Sequence, residues 1–177
     1  MVYHSNFVNA EGITKACGCP LLPLKSHIKG PTPVSKQDRT DIVDEAISFF
    51  RANVFFRNFD VKSSTDKLLI YLTFCINVAL KRLEGCRTLA EGTKAIINLG
   101  LQKVLVTGEP SFPFPGLFPL PQSQQEADVL LETRNFQGDF EKRFNIPYIT
   151  DVFPDFDPIP STFCLRMRTP VIEDFAG

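Results

Sequence analysis

The most apolar stretch of the chain is residues 66–84, and within 68–80 only Thr73 and Asn77 are polar. On a helix of 3.6 residues per turn, one narrow stripe holds five polar residues: Asp66, Thr73, Asn77, Lys81 and Glu84. A helix that is apolar on most of its faces must be enclosed by other elements or by lipid. Because the apolar run is shorter than the roughly 20 residues that span a bilayer, lipid is disfavoured. The pattern predicts a central helix, about 64–84, surrounded by the rest of the chain.

A first helix is predicted to start near Asp41, whose side chain can cap the helix amides, with Asp44 and Glu45 favouring the first-turn dipole. Its apolar positions recur at helical spacing and give one buried stripe: Val43, Ala46, Ile47, Phe50 and Val54. Two interpretations of Phe55 stay open. Either the helix ends before it and turns Phe55, Phe56 and Phe59 into the core, or an aromatic side chain faces outward.

Three further helix starts are indicated by capping boxes, in which a Ser or Thr is followed three residues later by an acid. These boxes run from Ser63 to Asp66, from Thr88 to Glu91 and from Ser123 to Glu126. Gly85 and Gly100 are expected at the ends of the second and third helices.

The 14 prolines fall into three clusters, at 20–33, 110–121 and 147–170. Because proline breaks helix interiors, these clusters separate the helical blocks from extended or looped ones. We expect a mainly α, single-domain helical bundle over residues 1–177 with little or no β structure. Its irregular parts are a loosely ordered segment at 1–20, proline-rich loops at 108–122 and 146–162, and short β-like pieces at 103–107 and 162–167.

Bulk composition excludes several function classes. With 19 basic and 20 acidic residues the net charge is −1, whereas a nucleic-acid binder or a polybasic membrane binder carries a positive excess. The first fifteen residues do not have the pattern of a secretory signal, so the five cysteines are expected to be reduced. Neither nucleic-acid binding nor membrane insertion is expected.

Catalytic chemistry has one weak candidate, Cys17-Gly18-Cys19 with His4 and His27 nearby. A structural zinc site needs four ligands, commonly from two spaced pairs, and the sequence offers no second pair. A thiol enzyme would need a positioned base beside the cysteine. The acidic residues at 41, 44 and 45 are better explained as helix caps than as an acid/base pair. No metal, no cofactor and no enzymatic activity are therefore expected.

The loop 110–121, PSFPFPGLFPLP, is the most suggestive surface of the chain. Its PxxP spacing is compatible with a ligand of a signalling domain. Alternatively, the loop folds back and seals the core with its phenylalanines. The sequence leaves both interpretations open.

Four blocks of the chain resemble successive blocks of a known family, subunit 3 of the actin-related protein 2/3 complex. They cover about residues 21–121, in that family's order and spacing, and read LLPLKSHIKGPTP, TDIVDEAISFFRANVFFRNFDVK, DKLLIYLTFCINVALKRL and GEPSFP. The resemblance implies a largely helical, non-catalytic subunit with one helix surrounded by the others.

The same resemblance implies the partners. The family's subunit belongs to a seven-subunit assembly that nucleates branched actin filaments, packs against an actin-related subunit and helps to contact filament actin, in the cytoplasm and at cortical actin patches. We expect interface residues among the loop phenylalanines and the nearby cations: Phe112, Phe114, Phe118, Lys25, Lys29, Arg51 and Arg57. The alternative is a free-standing helical ligand-binding protein, or a thiol enzyme that uses Cys17 or Cys19.

Overall fold

The computed structural model describes residues 2–9, 12–25, 33–36, 38–54, 59–101, 114 and 116–126. Along this part of the chain lie a 3-10 helix, two short strands and three α-helices. Their bounds are Asn6–Asn9, β1 Lys15–Ala16, β2 Cys19–Pro20, α1 Ile42–Asn53, α2 Ser64–Leu83 and α3 Leu89–Leu101. About half of the described chain is therefore helical, with one small two-stranded sheet.

Helix α2 is the long apolar helix that the sequence predicts, and it contacts α1, α3, β2 and the 3-10 helix. Seven of its aliphatic side chains are buried: Leu68, Leu69, Leu72, Ile76, Ala79, Leu80 and Leu83. The polar stripe is buried at Asp66 and Asn77 and exposed at Lys81 and Glu84. The Thr73 hydroxyl donates a hydrogen bond to the Leu69 carbonyl, 2.8 Å away. Among the described helices, none combines the length and the apolarity needed to cross a membrane.

Helix α1 begins as expected, since Asp41 accepts from the amides of Val43 and Asp44 and completes a capping box with the Asp44 side chain. The predicted apolar stripe of α1 is buried along its whole length. The helix ends at Asn53, before Phe55, and Phe59 then packs half-buried against the core. Phe55 and Phe56 lie outside the described residues. The helix end and the inward position of Phe59 agree with the first interpretation, and the core placement of Phe55 and Phe56 stays a prediction.

In each of the remaining boxes the Ser or Thr side chain caps the helix as predicted, whereas the acid accepts from the amide of the residue before the cap. Ser63 accepts from the Asp66 amide and Thr88 from the Glu91 amide, at 3.1 and 3.2 Å. Helix α3 runs one residue past Gly100 and buries Ile96 against the core. Ser123 accepts from the Glu126 amide at 3.1 Å, at the end of the described chain.

Strands β1 and β2 form an antiparallel hairpin in which Ala16 pairs with Cys19. Cys17 and Gly18 make the two-residue turn, with φ of 48° and 70°. Two successive positive φ values define the turn type whose twist matches that of the strands. The pieces predicted to be β-like at 103–107 and 162–167 lie outside the described residues.

The N-terminal segment differs from the loosely ordered end expected at 1–20. Residues 2–6, called the strap below, run along α1 from Asn53 at its C-terminal end to Glu45 in its first turn, and they also bind Asp66 at the N-terminal end of α2. The prediction was wrong because the partners of the strap are side chains about 40 to 60 residues further along the chain, which a local pattern does not reveal.

Candidate interaction surface

The strap is held by two almost completely buried carboxylates, one from each helix. Glu45 and Asp66 expose 2% and 0% of their surface. A buried carboxylate is costly unless hydrogen bonds replace its water. Both acids find donors on the strap, and Ser5 contacts both of them.

Glu45 takes three of its hydrogen bonds from two neighbouring strap residues. The Ser5 hydroxyl donates to Oε2 at 2.6 Å, and the Asn6 amide and side chain donate to Oε1 at 2.9 and 2.7 Å. The sequence-based interpretation of Glu45 as a first-turn acid serving the helix dipole is therefore incomplete. Its carboxylate points into the protein and anchors a distant segment.

Asp66 accepts from both sides of the chain. The Ser5 amide donates to Oδ1 at 3.1 Å, and the Lys62 amide donates to Oδ2 at 3.0 Å. His4 Nδ1 also lies 3.1 Å from Oδ2. Further along, Asn53 exchanges two hydrogen bonds with the backbone of Tyr3, both 2.9 Å long.

Aromatic side chains line the outer edge of the strap. The Tyr3 ring stacks on Phe49 with centroids 5.2 Å apart, and the His4 ring meets Phe59 edge to face at the same distance. We call these four residues the aromatic rim. Tyr3 is 46% exposed, and Phe49 and Phe59 are half-buried. Rigid aromatic rings at a surface are favoured in protein interfaces.

Two phenylalanines of the proline-rich loop 110–121 are described by the structure, and both are buried. Phe114 lies edge-on to Phe74 at 5.2 Å, and Phe118 lies edge-on to Tyr71 at 6.4 Å. Phe114 and Phe118 are 7% and 6% exposed. An interface role for these two residues stays a prediction that their burial does not support. The core-sealing interpretation accounts for them.

The same loop leaves Leu120 63% exposed. Two prolines flank Leu120, and Phe118 anchors the chain two residues earlier. Because proline fixes φ, this exposed side chain stands on a stiff support.

The loop and the β hairpin are joined across more than a hundred residues. The Cys17 amide donates to Glu126 Oε1 at 2.7 Å, and the Gln122 amide donates to Oε2 at 3.0 Å. These two hydrogen bonds, that of Gln122 first, lower the pKa of Glu126. Pro119 packs so closely that a Cβ on Gly18 would stand 2.9 Å from its Cδ.

The thiols of the hairpin are not activated. Burial, and then the Glu126 carboxylate, raise the pKa of Cys17, and burial raises the pKa of Cys19 to about 12. A nucleophilic cysteine needs the opposite shift. His4 contacts Asp66, and His27 lies outside the described residues. Among the described residues, Cys17, Cys19, Cys75 and Cys86 are thiols outside any disulfide.

Of the predicted basic interface residues, two are described. Lys25 pairs with Asp44, and its amide donates to Asp41 at 3.0 Å, so it is tied to the start of α1. Arg51 is exposed near the other end of the same helix. Lys29, Arg57 and Phe112 lie outside the described residues. The structure thus places Lys25 and Arg51 at opposite ends of α1 and does not bring them together.

Sequence reasoning did not find the strap or its two carboxylates. One signal was available, since Asp66 lies on a helix that is otherwise apolar nearly all round. A carboxylate enclosed in this way requires donors from elsewhere in the chain. The identity of the donors was not readable from the sequence.

Around α2, the described chain thus has segments held by hydrogen bonds and aromatic contacts, hairpin thiols with raised pKa values, and an aromatic rim at the surface. Within the described residues no group of three or more His, Cys, Asp or Glu side chains is placed to hold a metal ion. Over residues 1–165 the sequence matches the family described as P21-Arc, ARP2/3 complex ARPC3 (21 kDa) subunit. The chain belongs to this family.

Individual relatives agree with this membership. The chain is similar to actin-related protein 2/3 complex subunit 3 of Arabidopsis thaliana, with 81% identity over 73% of this chain and 74% of that protein. The subunit 3 of Schizosaccharomyces pombe is 31% identical over 94% of each chain. Subunit 3 is a structural, non-catalytic component of the Arp2/3 complex. The free-standing ligand-binding protein or thiol enzyme considered from the sequence is not supported.

A short stretch has a different relative. Over 42 residues, 24% of the chain, it is 62% identical to ATP-dependent 6-phosphofructokinase 5, chloroplastic, of Arabidopsis thaliana. This stretch is 8% of that enzyme, and so short a piece does not constitute an enzyme domain. The subunit 3 membership is unaffected by it.

Proposed function

We propose that this chain supports the nucleation of branched actin filaments as a structural subunit of the Arp2/3 complex. It does so by packing against an actin-related subunit and by helping to contact filament actin. The observation that carries the proposal is the match to the subunit 3 family over residues 1–165. Seven subunits in the assembly, and a place in cortical actin patches, belong to the same proposal.

The mechanism we propose is that of a rigid brace. Helix α2 contacts α1, α3, β2 and the 3-10 helix, and the loop that carries Phe114 and Phe118 is fastened to α2 by two aromatic pairs. A partner arrangement is favoured by a subunit only as far as the subunit binds it better than its alternatives. A brace whose loops are pinned discriminates more sharply because less ordering entropy is lost on binding.

Candidate contacts with the partners follow from exposure. Leu120 presents apolar surface on a stiff support, Tyr3 presents an exposed ring, and Arg51 adds a cation on α1. Lys25, with Lys29, Arg57 and Phe112, stays in the proposed interface. Phe114 and Phe118 would act indirectly, by holding the loop that carries Leu120.

The first test is a pull-down of the tagged full-length chain from native extract, with the mass and ratio of every companion measured. Recovery with two actin-related proteins and four other subunits at equal amounts is the expected result. Recovery as a lone monomer would contradict the proposal.

The second test addresses the interface. Leu120→Ala and Arg51→Ala are each expected to weaken incorporation into the complex or branching in a filament assay. Lys36→Ala is the matched control, since Lys36 is exposed and is not among the candidates. If both variants assemble and branch like the control, these residues are not part of the interface.

A further inference from the structure

The strap is fastened in a way that differs from the rest of the fold. Seven hydrogen bonds connect its residues 3–6 to three side chains of the helix pair: Asn53, Glu45 and Asp66. Each of those three side chains serves at least two strap groups. When one of these hydrogen bonds breaks, the other strap groups bound to the same helix side chain are displaced as well. The attachment is therefore cooperative.

We propose that the strap is a latch. Residues 2–6 open and close as one unit over the ends of α1 and α2 while the helices stay folded, and a negative charge at Ser5 holds the latch open. This inference concerns the chain itself and does not depend on the proposed function.

Opening the strap costs less free energy than opening a helix, because water then hydrates the two carboxylates that the strap covers. Glu45 and Asp66 are buried as long as the strap covers them. When the strap leaves, water solvates both carboxylates, and this hydration offsets part of the hydrogen bonding that is lost. An opened helix of the core would instead expose aliphatic side chains with no such return.

The helix pair has its own stabilisation without the strap. Phe50 and Ile47 of α1 and Leu69 and Leu72 of α2 are almost completely buried and belong to one apolar cluster. None of strap residues 2–6 belongs to that cluster, and Tyr3 reaches it only by stacking on the half-buried Phe49. Local opening of a terminal segment with few buried apolar contacts is the kind of motion that proceeds without global unfolding.

Ser5 is the position at which charge acts on the latch. Its hydroxyl lies 2.6 Å from Glu45 Oε2 and its amide binds Asp66, so an anionic side chain there would face two carboxylates. Like charges at this separation in a poorly solvated site repel strongly. The open state relieves the repulsion and uncovers Phe49 and Phe59, which changes the surface that the chain presents.

Hydrogen–deuterium exchange of the full-length chain tests the latch. In the unmodified chain, the amides of Ser5 and Asn6 are expected to exchange well before those of Leu72 and Ile76. In Ser5→Asp, the strap amides should exchange on the order of tenfold to a hundredfold faster, as for lost hydrogen bonds to a charged group, with the α2 amides unchanged. Ser48→Asp is the matched control, because Ser48 is exposed on α1 and its hydroxyl donates to the Asp44 carbonyl and not to Glu45 or Asp66.

Asn6→Ala provides a second and milder variant, since it removes one donor to Glu45 from an exposed side chain. It should accelerate exchange of the strap amides less than Ser5→Asp does. The latch is overturned if strap and α2 amides exchange with the same protection in the unmodified chain. It is also overturned if Ser5→Asp leaves the strap amides unchanged or accelerates strap and α2 together.

Discussion

Two irregular segments are attached to the helices α1 and α2 by opposite means. The strap uses seven hydrogen bonds centred on buried acids, and its ring contacts lie at the surface. The 114–118 segment uses two edge-to-face aromatic pairs, Phe114 with Phe74 and Phe118 with Tyr71, inside the core. One attachment is polar and directional, and the other is apolar.

The difference has an energetic meaning. Hydrogen bonds exchanged for water contribute little net free energy, although each one left unmade inside the protein is costly. Burial of an aromatic ring contributes much more and demands less exact alignment. The polar attachment therefore fixes which residues meet, and the apolar attachment supplies more of the stability.

The largest expected effect comes from removing one ring of the apolar attachment. Phe118→Ala should lower the free energy of unfolding by about 3–5 kcal/mol, because it loses buried area and leaves a cavity beside Tyr71. Chemical denaturation of the purified chain measures this. Leu120→Ala, two residues away and exposed, should stay within about 0.5 kcal/mol. Equal losses for the two variants would contradict the burial of Phe118.

A smaller loss is expected at the polar attachment. Glu45→Ala should cost about 2–3 kcal/mol, because the Ser5 hydroxyl and the Asn6 amide lose their acceptor. Glu84→Ala removes an equally charged but exposed carboxylate and should cost almost nothing. Combining Glu45→Ala with Ser5→Ala should cost less than the sum of the two single changes. Strict additivity would show that the two side chains do not interact.

Two glycines, Gly18 in the hairpin and Gly12 before it, separate the effect of backbone strain from that of steric crowding. Gly12 and Gly18 both have positive φ, 80° and 70°, but only at Gly18 would a Cβ meet another atom, Pro119 Cδ at 2.9 Å. Gly12→Ala should therefore cost about 1 kcal/mol, the backbone strain alone. Gly18→Ala should cost more, about 2 kcal/mol, since Pro119 must also move. Unfolding curves that rank Gly12→Ala as the costlier change would contradict this packing.

Much of the helical fold was predictable because its determinants are local. Caps at Asp41, Ser63 and Thr88 and the apolar spacing behind them lie within a few residues of the helix that they specify. The burial of α2 follows from its composition in the same way. The family resemblance found from four sequence blocks was likewise confirmed.

What the sequence did not reveal are pairings at long range. Ser5 meets Glu45 across 40 residues and Cys17 meets Glu126 across 109. Nothing in the neighbourhood of a carboxylate tells whether it caps a helix or holds a distant segment. The fate of the loop phenylalanines was undecided for a related reason, since a Phe-rich loop has the same sequence whether it faces a partner or the core.

The smallest expected effect is the pH dependence of the stability that Glu126 contributes where it joins the hairpin to the loop, called the joint here. The pKa of Glu126 is lowered from 4.5 in the folded chain by the amides of Gln122 and Cys17. Stability from this carboxylate is therefore fully present above about pH 4.5 and is lost as the pH falls through the lowered value. Glu126→Gln removes the charge and keeps an acceptor. The difference in unfolding free energy between the unmodified chain and Glu126→Gln should be positive at pH 7 and shrink towards acid pH. A difference that does not change with pH would show that the charge of Glu126 does not stabilise the joint.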